Sequence, residues 1–344
     1  MSNIKFKDLE RVLIVAELSA NHNGSFDKAI NTIRAAKRSG ADAIKLQTYT
    51  PETITLKSNK KDFLLNFGTI WDGQFLYDLY EEAHTPWEWH EKLFQVAKDE
   101  GLICFSSPFD KSAVDFLEEL ENPIYKIASF EITDVNLIEY VASKNKPIII
   151  STGIANLNDI KLAIETCMKS RNDNLALLKC TSSYPAPLEE ANLLMINDLK
   201  TRFGYTVGLS DHTLGITAPI VAVSQGAKIV EKHFIIDKND KGPDSSFSLN
   251  EKEFSNMVKS VREAETSIGK IDYNLTKKQL EGKNFSRSLY ISEDVRKGAL
   301  VTKLNVRSVR PGYGLHPKFL PQIIGKKFVK DLTKGERFKL EYIK

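Results

Sequence analysis

The sequence predicts an α/β protein: a (β/α)8 TIM barrel over residues 1–270, a linker at 271–285, and a small, irregular β-rich domain at 286–344. Three observations predict it. Eight short, β-branched apolar runs recur between residues 12 and 234, each ending in polar residues. Amphipathic helical stretches follow most of them, and most runs start about 20–30 residues apart, the length of a βα unit. After residue 285 this rhythm stops, and short apolar segments alternate with Lys-Gly and Pro-Gly turns. A doubly wound sheet is the alternative, but eight units of one kind favour closure, and no G-x-G-x-x-G follows the first strand.

The runs are residues 12–18, 43–48, 103–108, 124–129, 147–152, 175–181, 206–212 and 229–234. Most are nearly continuous in apolar character, as expected for strands buried on both faces of a parallel sheet. Between them, Ser25 precedes a helix over 26–38 that Gly40 ends, and Asp110 caps a helix over 111–120. Asn156 or Asn158 opens a helix through Met168, and Asn250 or Glu251 opens the last one, through Ile268. Residues 49–102 exceed a normal connection. Within them, residues 51–85, with Pro51, Gly68, Gly73 and several aromatics, read as an insertion over the top of the barrel and a candidate substrate lid. In the tail, residues 288–292, 306–309 and 338–342 read as strands, and Val295-Arg296-Lys297-Gly298 is echoed by Leu332-Thr333-Lys334-Gly335.

Composition narrows the function classes. With 42% hydrophobic and 27% charged residues, the chain is not a disordered one. No apolar run reaches ~18 residues, so neither a transmembrane helix nor a membrane partner is expected. Residues 1–11 are polar and charged, so no secretory signal is expected. Cys104, Cys167 and Cys180 are odd in number and far apart, which argues against a disulfide framework or zinc ribbon and for a reducing cytoplasm. The net charge of +3 hides a split. Residues 283–344 hold 15 lysines and arginines against 5 acids, while the rest of the chain balances at −7, so the two parts should attract each other. The basic tail lacks interleaved aromatics, and no nucleic-acid partner is expected.

In such a barrel, polar residues at strand C-termini face the active site. Here those ends carry Glu17, with Asn21 and His22 just beyond; Lys45 and Gln47; Ser106 and Ser107; Lys126, Ser129 and Glu131; Ser151 and Thr152; Lys179, Thr181, Ser182 and Tyr184; Ser210, Asp211 and His212; and Glu231, Lys232 and His233. Lysines or hydroxyls end nearly every strand, which suits a phosphate or carboxylate ligand. His212 and His233 end successive strands, and two imidazoles with waters suit a divalent metal; hydrogen-bonded layer residues are the alternative. Buried Lys45 and Lys126 need partners. A bound phosphate supplies one, a salt bridge to Glu17 or Glu131 another, and a Schiff-base role for Lys126 or Lys179 is a third option. Glu131 reads either as a general base or as a cap for a helix starting near Asp134. The basic loop from Arg310 to Gly314 reaches an anion or a sugar, or is a plain surface turn.

The motifs Ala16-Glu17-Leu18-Ser19-Ala20-Asn21-His22-Asn23-Gly24, Lys45-Leu46-Gln47-Thr48, Ser107-Pro108-Phe109, Lys126-Ile127-Ala128-Ser129-Phe130-Glu131, Ser151-Thr152-Gly153, Cys180-Thr181-Ser182-Ser183-Tyr184-Pro185, Gly208-Leu209-Ser210-Asp211-His212, Glu231-Lys232-His233-Phe234 and Gly242-Pro243-Asp244 appear in that order. Together they resemble the sialic acid synthase family, the phosphoenolpyruvate-condensing nonulosonate synthases, and the tail resembles that family's antifreeze-like (SAF) domain. The opening Glu-Leu-Ser-Ala-Asn-His and the tail Arg-Ser-Val-Arg-Pro-x-x-Gly-Leu-His-Pro-Lys are most similar to its pseudaminic acid branch. Phe130 and Ser182 stand where neuraminate synthases carry a glycine and a sugar-contacting asparagine, which argues against N-acetylmannosamine as substrate. The resemblance implies condensation of phosphoenolpyruvate with 2,4-diacetamido-2,4,6-trideoxy-L-altrose, the alternative being the same chemistry on the sugar of a legionaminic or N-acetylneuraminic acid synthase. His212 and His233 would hold manganese or magnesium. Lys45, Ser107, Lys126, Ser129, Ser151 and Ser210 would hold phosphoenolpyruvate. Glu131 would be the central acid/base, with Glu17 and Asp244 as further catalytic carboxylates. Gln47, Phe109 and Tyr184 would line the sugar. Arg310 would come from the C-terminal domain of the other subunit in a swapped homodimer.

Overall fold

The structure, a computed structural model, describes residues 4–344. The chain divides into two units, Met1–Gly269 and Lys270–Lys344. In the first, strands β1 Leu13–Glu17, β2 Ala43–Thr48, β3 Ile103–Pro108, β4 Tyr125–Ile127, β5 Ile148–Ser151, β6 Leu175–Cys180, β7 Thr206–Asp211 and β8 Ile229–His233 form a closed barrel. Neighbours are parallel, and β8 closes on β1 from Leu13↔Ile229 to Glu17↔His233. One long helix follows each strand: α1 Phe26–Arg38, α2 Trp87–Asp99, α3 Lys111–Glu119, α4 Val135–Ala142, α5 Leu157–Lys169, α6 Leu194–Phe203, α7 Thr217–Ser224 and α8 Glu251–Ile268. The side chains of Ser25, Asp110, Asn156 and Asn250 accept first-turn N–H groups of α1, α3, α5 and α8, which fixes where each helix leaves its loop.

Strand periodicity sorts the core. Ile14, Ala16, Ile44, Leu46, Ile127, Ile150, Leu177, Leu209 and Val230 pack with helix residues outside the barrel. Leu13, Val15, Ala43, Phe105, Ile149, Ala176, Leu178 and Ile229 fill the lumen together with Phe6. The same inward faces turn polar two positions higher: Glu17 follows Val15, Lys45 follows Ala43, Ser107 follows Phe105, Ser151 follows Ile149 and Glu231 follows Ile229. An apolar plug thus supports a polar floor at the C-terminal end. Gly208 lies in this wall because a Cβ there would collide with the Ile229 carbonyl oxygen and Leu178 Cδ2.

Several boundaries differ from expectation. The fourth strand stops at Ile127, and Ser129–Glu131 form a 3-10 turn in which the Glu131 N–H bonds the Ala128 carbonyl at 3.2 Å. The insertion carries short helices at Pro51–Ile54 and Leu76–Ala83. The expected linker is not featureless: Thr276 and Gln279 form a capping box that starts the helix Lys277–Gly282, and this segment groups with the second unit.

That second unit holds one antiparallel pair, β9 Ser288–Ile291 with β10 Val306–Val309. The rest is tied by isolated bridges around a core that includes Leu289, Ile291, Val306, Phe328 and Phe338. Residues 338–342 do not form the expected third strand. The Phe338 N–H bonds the Leu289 carbonyl, and the chain then turns into the 3-10 segment Leu340–Tyr342. The two echoed tokens face each other, Val295 and Leu332 exchanging N–H···O bonds of 2.9 and 3.0 Å. No helix among the described residues is long and apolar enough to cross a membrane. The three cysteines are buried and free.

Candidate active site

Register assembles the site. It sets Lys45 beside Glu17 and Glu231 beside Ser210. Lys45 Nζ lies 2.6 Å from Glu17 Oε2 and 3.7 Å from Glu231 Oε1. Lys126 Nζ donates to the same Glu231 oxygen at 3.0 Å, as does Ser210 Oγ at 3.0 Å. Lys45 Nζ also donates to Ser107 Oγ at 3.4 Å. All of these residues are buried, so two ammonium groups and two carboxylates balance in a medium where an unpaired charge is costly. Burial pushes Glu17 up to about 7 against the pull of Lys45. Burial acts in the same direction on Glu231, but Lys126 and Lys45 outweigh it and hold that carboxyl at about 2. Glu17 Oε1, Glu231 Oε2 and Ser151 Oγ are buried without a hydrogen bond, which fits a site built to receive a polar ligand.

Lys45 takes the Glu17 partner expected of it, but Lys126 pairs with Glu231 and not with Glu131. Glu231 is the residue whose role sequence reasoning missed. It was visible at a strand end, yet only register shows that it bridges both lysines. Lys179 lies on the outward face of β6, next to Leu178 of the lumen, and its Nζ donates to the Cys180 carbonyl at 2.6 Å and Thr181 Oγ1 at 3.1 Å. A Schiff-base role inside the barrel is closed to it. Glu131 is not the helix cap either. Asp134 accepts the Leu137 N–H at 3.1 Å and caps α4. Glu131 Oε2 is left buried and unpartnered, and burial pushes its carboxyl up to about 7.

A second cluster surrounds the histidines. The His212 and His233 ring centroids are 5.4 Å apart. His212 Nδ1 lies 3.1 Å from the Thr181 carbonyl oxygen; a carbonyl only accepts, so Nδ1 carries the hydrogen and Nε2 is left as the basic nitrogen. His233 Nδ1 is buried without a hydrogen bond and stands 3.6 Å from Asp244 Oδ2. Burial, with His212 and nearby lysines, pushes His233 well below the usual imidazole range, so it is the neutral ligand form. Two imidazole rings, one with an orphan nitrogen, and a flanking carboxylate fit a divalent ion as donors. No group of three His, Cys, Asp or Glu among the described residues is arranged to hold one alone, so water or substrate oxygens would complete the shell.

The wall over this cluster is aromatic. Tyr184 packs on His212 at 4.4 Å and Phe247 on His233 at 4.9 Å. Trp71 of the insertion packs on Tyr184 at 5.5 Å, and its Nε1 donates to the Pro243 carbonyl at 3.1 Å. The loop carrying Asp244 and Phe247 is held from below. Asn21 Nδ2 donates to the Phe234 carbonyl at 3.0 Å and to Ser248 Oγ at 2.9 Å, and Ser248 Oγ donates to the Asp244 carbonyl at 2.7 Å.

Residues 32–273 match the NeuB family, and residues 286–339 match the SAF domain. The chain belongs to the NeuB family of sialic acid synthases. Pseudaminic acid synthase of Campylobacter jejuni is 48% identical over 334 residues, 97% of each chain. The Helicobacter pylori pseudaminic acid synthase is 46% identical over 320 residues, 93% of this chain and 94% of its own. Among solved structures, an N-acetylneuraminic acid synthetase from Leptospira borgpetersenii, in complex with citrate, has a TM-score of 0.73 at 29% identity, covering 82% of this chain and 93% of its own. This NeuB-family chain is therefore an enzyme of the nonulosonate synthase kind.

The other candidates lie in loops and strand ends of the barrel or, for Arg310, in the second unit. Ser182 Oγ donates to Ser129 Oγ at 2.9 Å, and Gly153 leaves room for that pair, since a Cβ there would collide with both hydroxyls. Gln47 is half-buried and paired in register with Ser107. Phe109 packs edge-on against Tyr49 at 5.1 Å. Phe130 is exposed beside Glu131. Arg310 is exposed in the second unit.

Proposed function

We propose that this enzyme is a metal-dependent pseudaminic acid synthase of the cytoplasm. It condenses phosphoenolpyruvate with 2,4-diacetamido-2,4,6-trideoxy-L-altrose and water, giving pseudaminic acid and phosphate. The observation that carries the reading is the buried Lys45–Glu17 and Lys126–Glu231–Ser210 network. It offers two point charges for a phosphate and a carboxylate, with two carboxylates beside them. The pseudaminic choice rests on the 48% and 46% identical relatives of that name and on Phe130 and Ser182. The three buried, free cysteines fit a reducing compartment.

In this reading C3 of phosphoenolpyruvate forms a bond to the aldehyde carbon of the open-chain sugar, and the aldehyde oxygen takes up a proton. Lys45 and Lys126, with Ser107, Ser129, Ser151 and Ser210, bind the anionic groups. Positive charge develops at C2, and Glu17 and Glu231 stabilise it from a water-poor floor. Glu131 takes a proton from the water that adds to C2. The bond from C2 to the phosphate oxygen then breaks, the departing phosphate takes the proton of the new C2 hydroxyl, and the ketone remains. His212 and His233 would hold manganese or magnesium, which when bound supplies Lewis acidity to the sugar carbonyl. Gln47, Phe109, Tyr184 and Asp244 orient the sugar. The enzyme works as a homodimer in which Arg310 of one copy reaches the site of the other.

The test is a competition between sugars. Purified protein, phosphoenolpyruvate and manganese are incubated separately with the diacetamido-altrose, its legionaminic counterpart and N-acetylmannosamine, and phosphate release and product mass are scored. Turnover with the altrose alone is expected. Turnover with another sugar keeps the chemistry and overturns the specificity. Retained activity in EDTA overturns the metal.

A further inference from the structure

A cavity of about 970 Å3 lies at the end of the barrel opposite the candidate active site. Its walls precede the strands: Arg171 to Asn174 lead into β6, Phe203 to Tyr205 into β7, and Gly226 and Lys228 into β8. Lys5, Phe6, Lys7 and Leu9 of the N-terminal segment form another part of the wall. No step of the condensation uses any of these residues.

The charge here runs against its surroundings. Lys5, Lys7, Arg171, Lys200 and Lys228 line the cavity, and Asp173 is the one acid on its wall. Among the described residues none of the five cations forms an ion pair. Yet the unit that carries them holds 30 lysines and arginines against 38 acids. Like charges gathered without counter-ions repel, and they raise the local concentration of anions. The carbonyl ends of α5 and α6 account for Arg171 and Lys200, but Lys5 and Lys7 sit only at the single 3-10 turn Phe6–Asp8.

The backbone that carries Lys5 and Lys7 is held in place, as is Lys228. Asn174 clamps the N-terminal segment, Oδ1 accepting the Phe6 N–H at 3.1 Å and Nδ2 donating to the Ile4 carbonyl at 2.7 Å. Phe6 is anchored in the lumen core, which fixes Lys5 and Lys7 on either side of it. Lys228 Nζ donates to the Glu10 carbonyl at 3.2 Å. Half-buried Phe203 and Tyr205 add flat apolar surface, with the Tyr205 hydroxyl donating to Met168 Sδ at 3.4 Å. Clustered cations beside aromatic rings suit a molecule that carries both several negative charges and a planar ring, and the volume suits a small organic ligand.

We propose that this cavity binds a nucleoside phosphate, with the five cations on the phosphates and Phe203 and Tyr205 against the base. The site stands apart from the reaction, so it serves as an effector site whatever sugar the enzyme takes.

Calorimetric titration of the full-length protein tests it, at low fixed ionic strength and with saturating phosphoenolpyruvate to occupy the catalytic end. The probes are ATP, tripolyphosphate and adenosine. ATP is expected to bind once per chain and more tightly than tripolyphosphate, with adenosine alone silent. R171A/K200A should weaken ATP at least 10-fold while condensation continues at its normal rate. Y205A should weaken ATP and leave tripolyphosphate unchanged. If R171A/K200A does not fold, K7A/K228A takes the same readout. No ATP binding at millimolar concentration, displacement of ATP by phosphoenolpyruvate, or equal binding by the variants overturns the site. Tripolyphosphate binding as tightly as ATP overturns the base contact.

Discussion

Burial keeps the Glu131 carboxyl half-protonated near neutrality, where an ordinary glutamate is fully ionised. Two consequences can be separated. As a general base the group must be ionised, so kcat/KM should rise with pH through about 7, and E131Q should lose about 10²–10⁴-fold in kcat. A flat profile would remove the base role. Stability moves the other way. The folded-state value lies above that of the unfolded chain, so the folded protein binds the extra proton, and stability falls as pH rises from about 4.5 to about 7. At pH 8 the ionised carboxylate is buried at a cost that glutamine does not carry. E131Q should therefore melt higher than the parent at pH 8, by up to roughly 3 kcal/mol, and no higher at pH 5. Glu231 behaves oppositely. Its carboxylate neutralises Lys126 and Lys45, so E231Q should cost about 3–5 kcal/mol in chemical denaturation by leaving buried ammonium groups uncompensated. The two glutamates look alike in the sequence. Which one faces the lysines depends on the pairing of β7 with β8 and on the 3-10 turn after β4, neither of which is encoded at a single position.

The strands were the most legible elements, because a strand covered on both faces must be apolar at successive positions, and little else in a helix-rich chain has that texture at this length. Caps were legible for a similar local reason: Ser25, Asp110, Asn156 and Asn250 bond their own first turns. The second unit was less so, since its core is closed by isolated bridges between distant residues, and a run such as 338–342 alternates apolar and charged residues, burying Phe338 and Tyr342, without being a strand. Close approach between elements was likewise hidden until their register was known. Gly208 permits β7 to sit against β8, and a methyl there meets backbone that cannot move aside. G208A should cost about 1–3 kcal/mol through overpacking, read as a lower melting temperature; an unchanged value would mean that the wall yields. The loop after β8 depends on a different contact. N21A would strand the Phe234 carbonyl and Ser248, costing about 1–3 kcal/mol. Because Asp244 rides on that loop, KM for the sugar should rise more than KM for phosphoenolpyruvate.

At the scale of the whole molecule, charge is divided between the units. Residues 1–269 balance at −8 and residues 270–344 at +11. Opposite net charges give an attraction that acts at longer range than any contact, and it is the one feature of the proposed homodimer that the sequence supports without reference to relatives. Such an attraction is screened over about 10 Å at 0.1 M salt and about 3 Å at 1 M. If it holds two copies together, the mass seen by light scattering should fall from two chains toward one between 0.05 and roughly 1 M sodium chloride, and turnover should fall in parallel. An apolar association would strengthen or hold over the same range, so a constant mass with constant turnover would exclude the electrostatic account. R310A separates assembly from chemistry. One charge among so many should leave the mass unchanged, whereas loss of a group that reaches the other copy's sugar should raise KM for the sugar and spare that for phosphoenolpyruvate. Mixing R310A with E131Q makes the exchange between copies visible. Each parent is defective at a different part of the site, and only if Arg310 serves the neighbouring barrel can a mixed dimer contain one site that is intact in both respects. Recovery of activity on mixing therefore requires the swapped arrangement, and its absence in a mixture shown by mass to contain mixed dimers assigns Arg310 to its own chain.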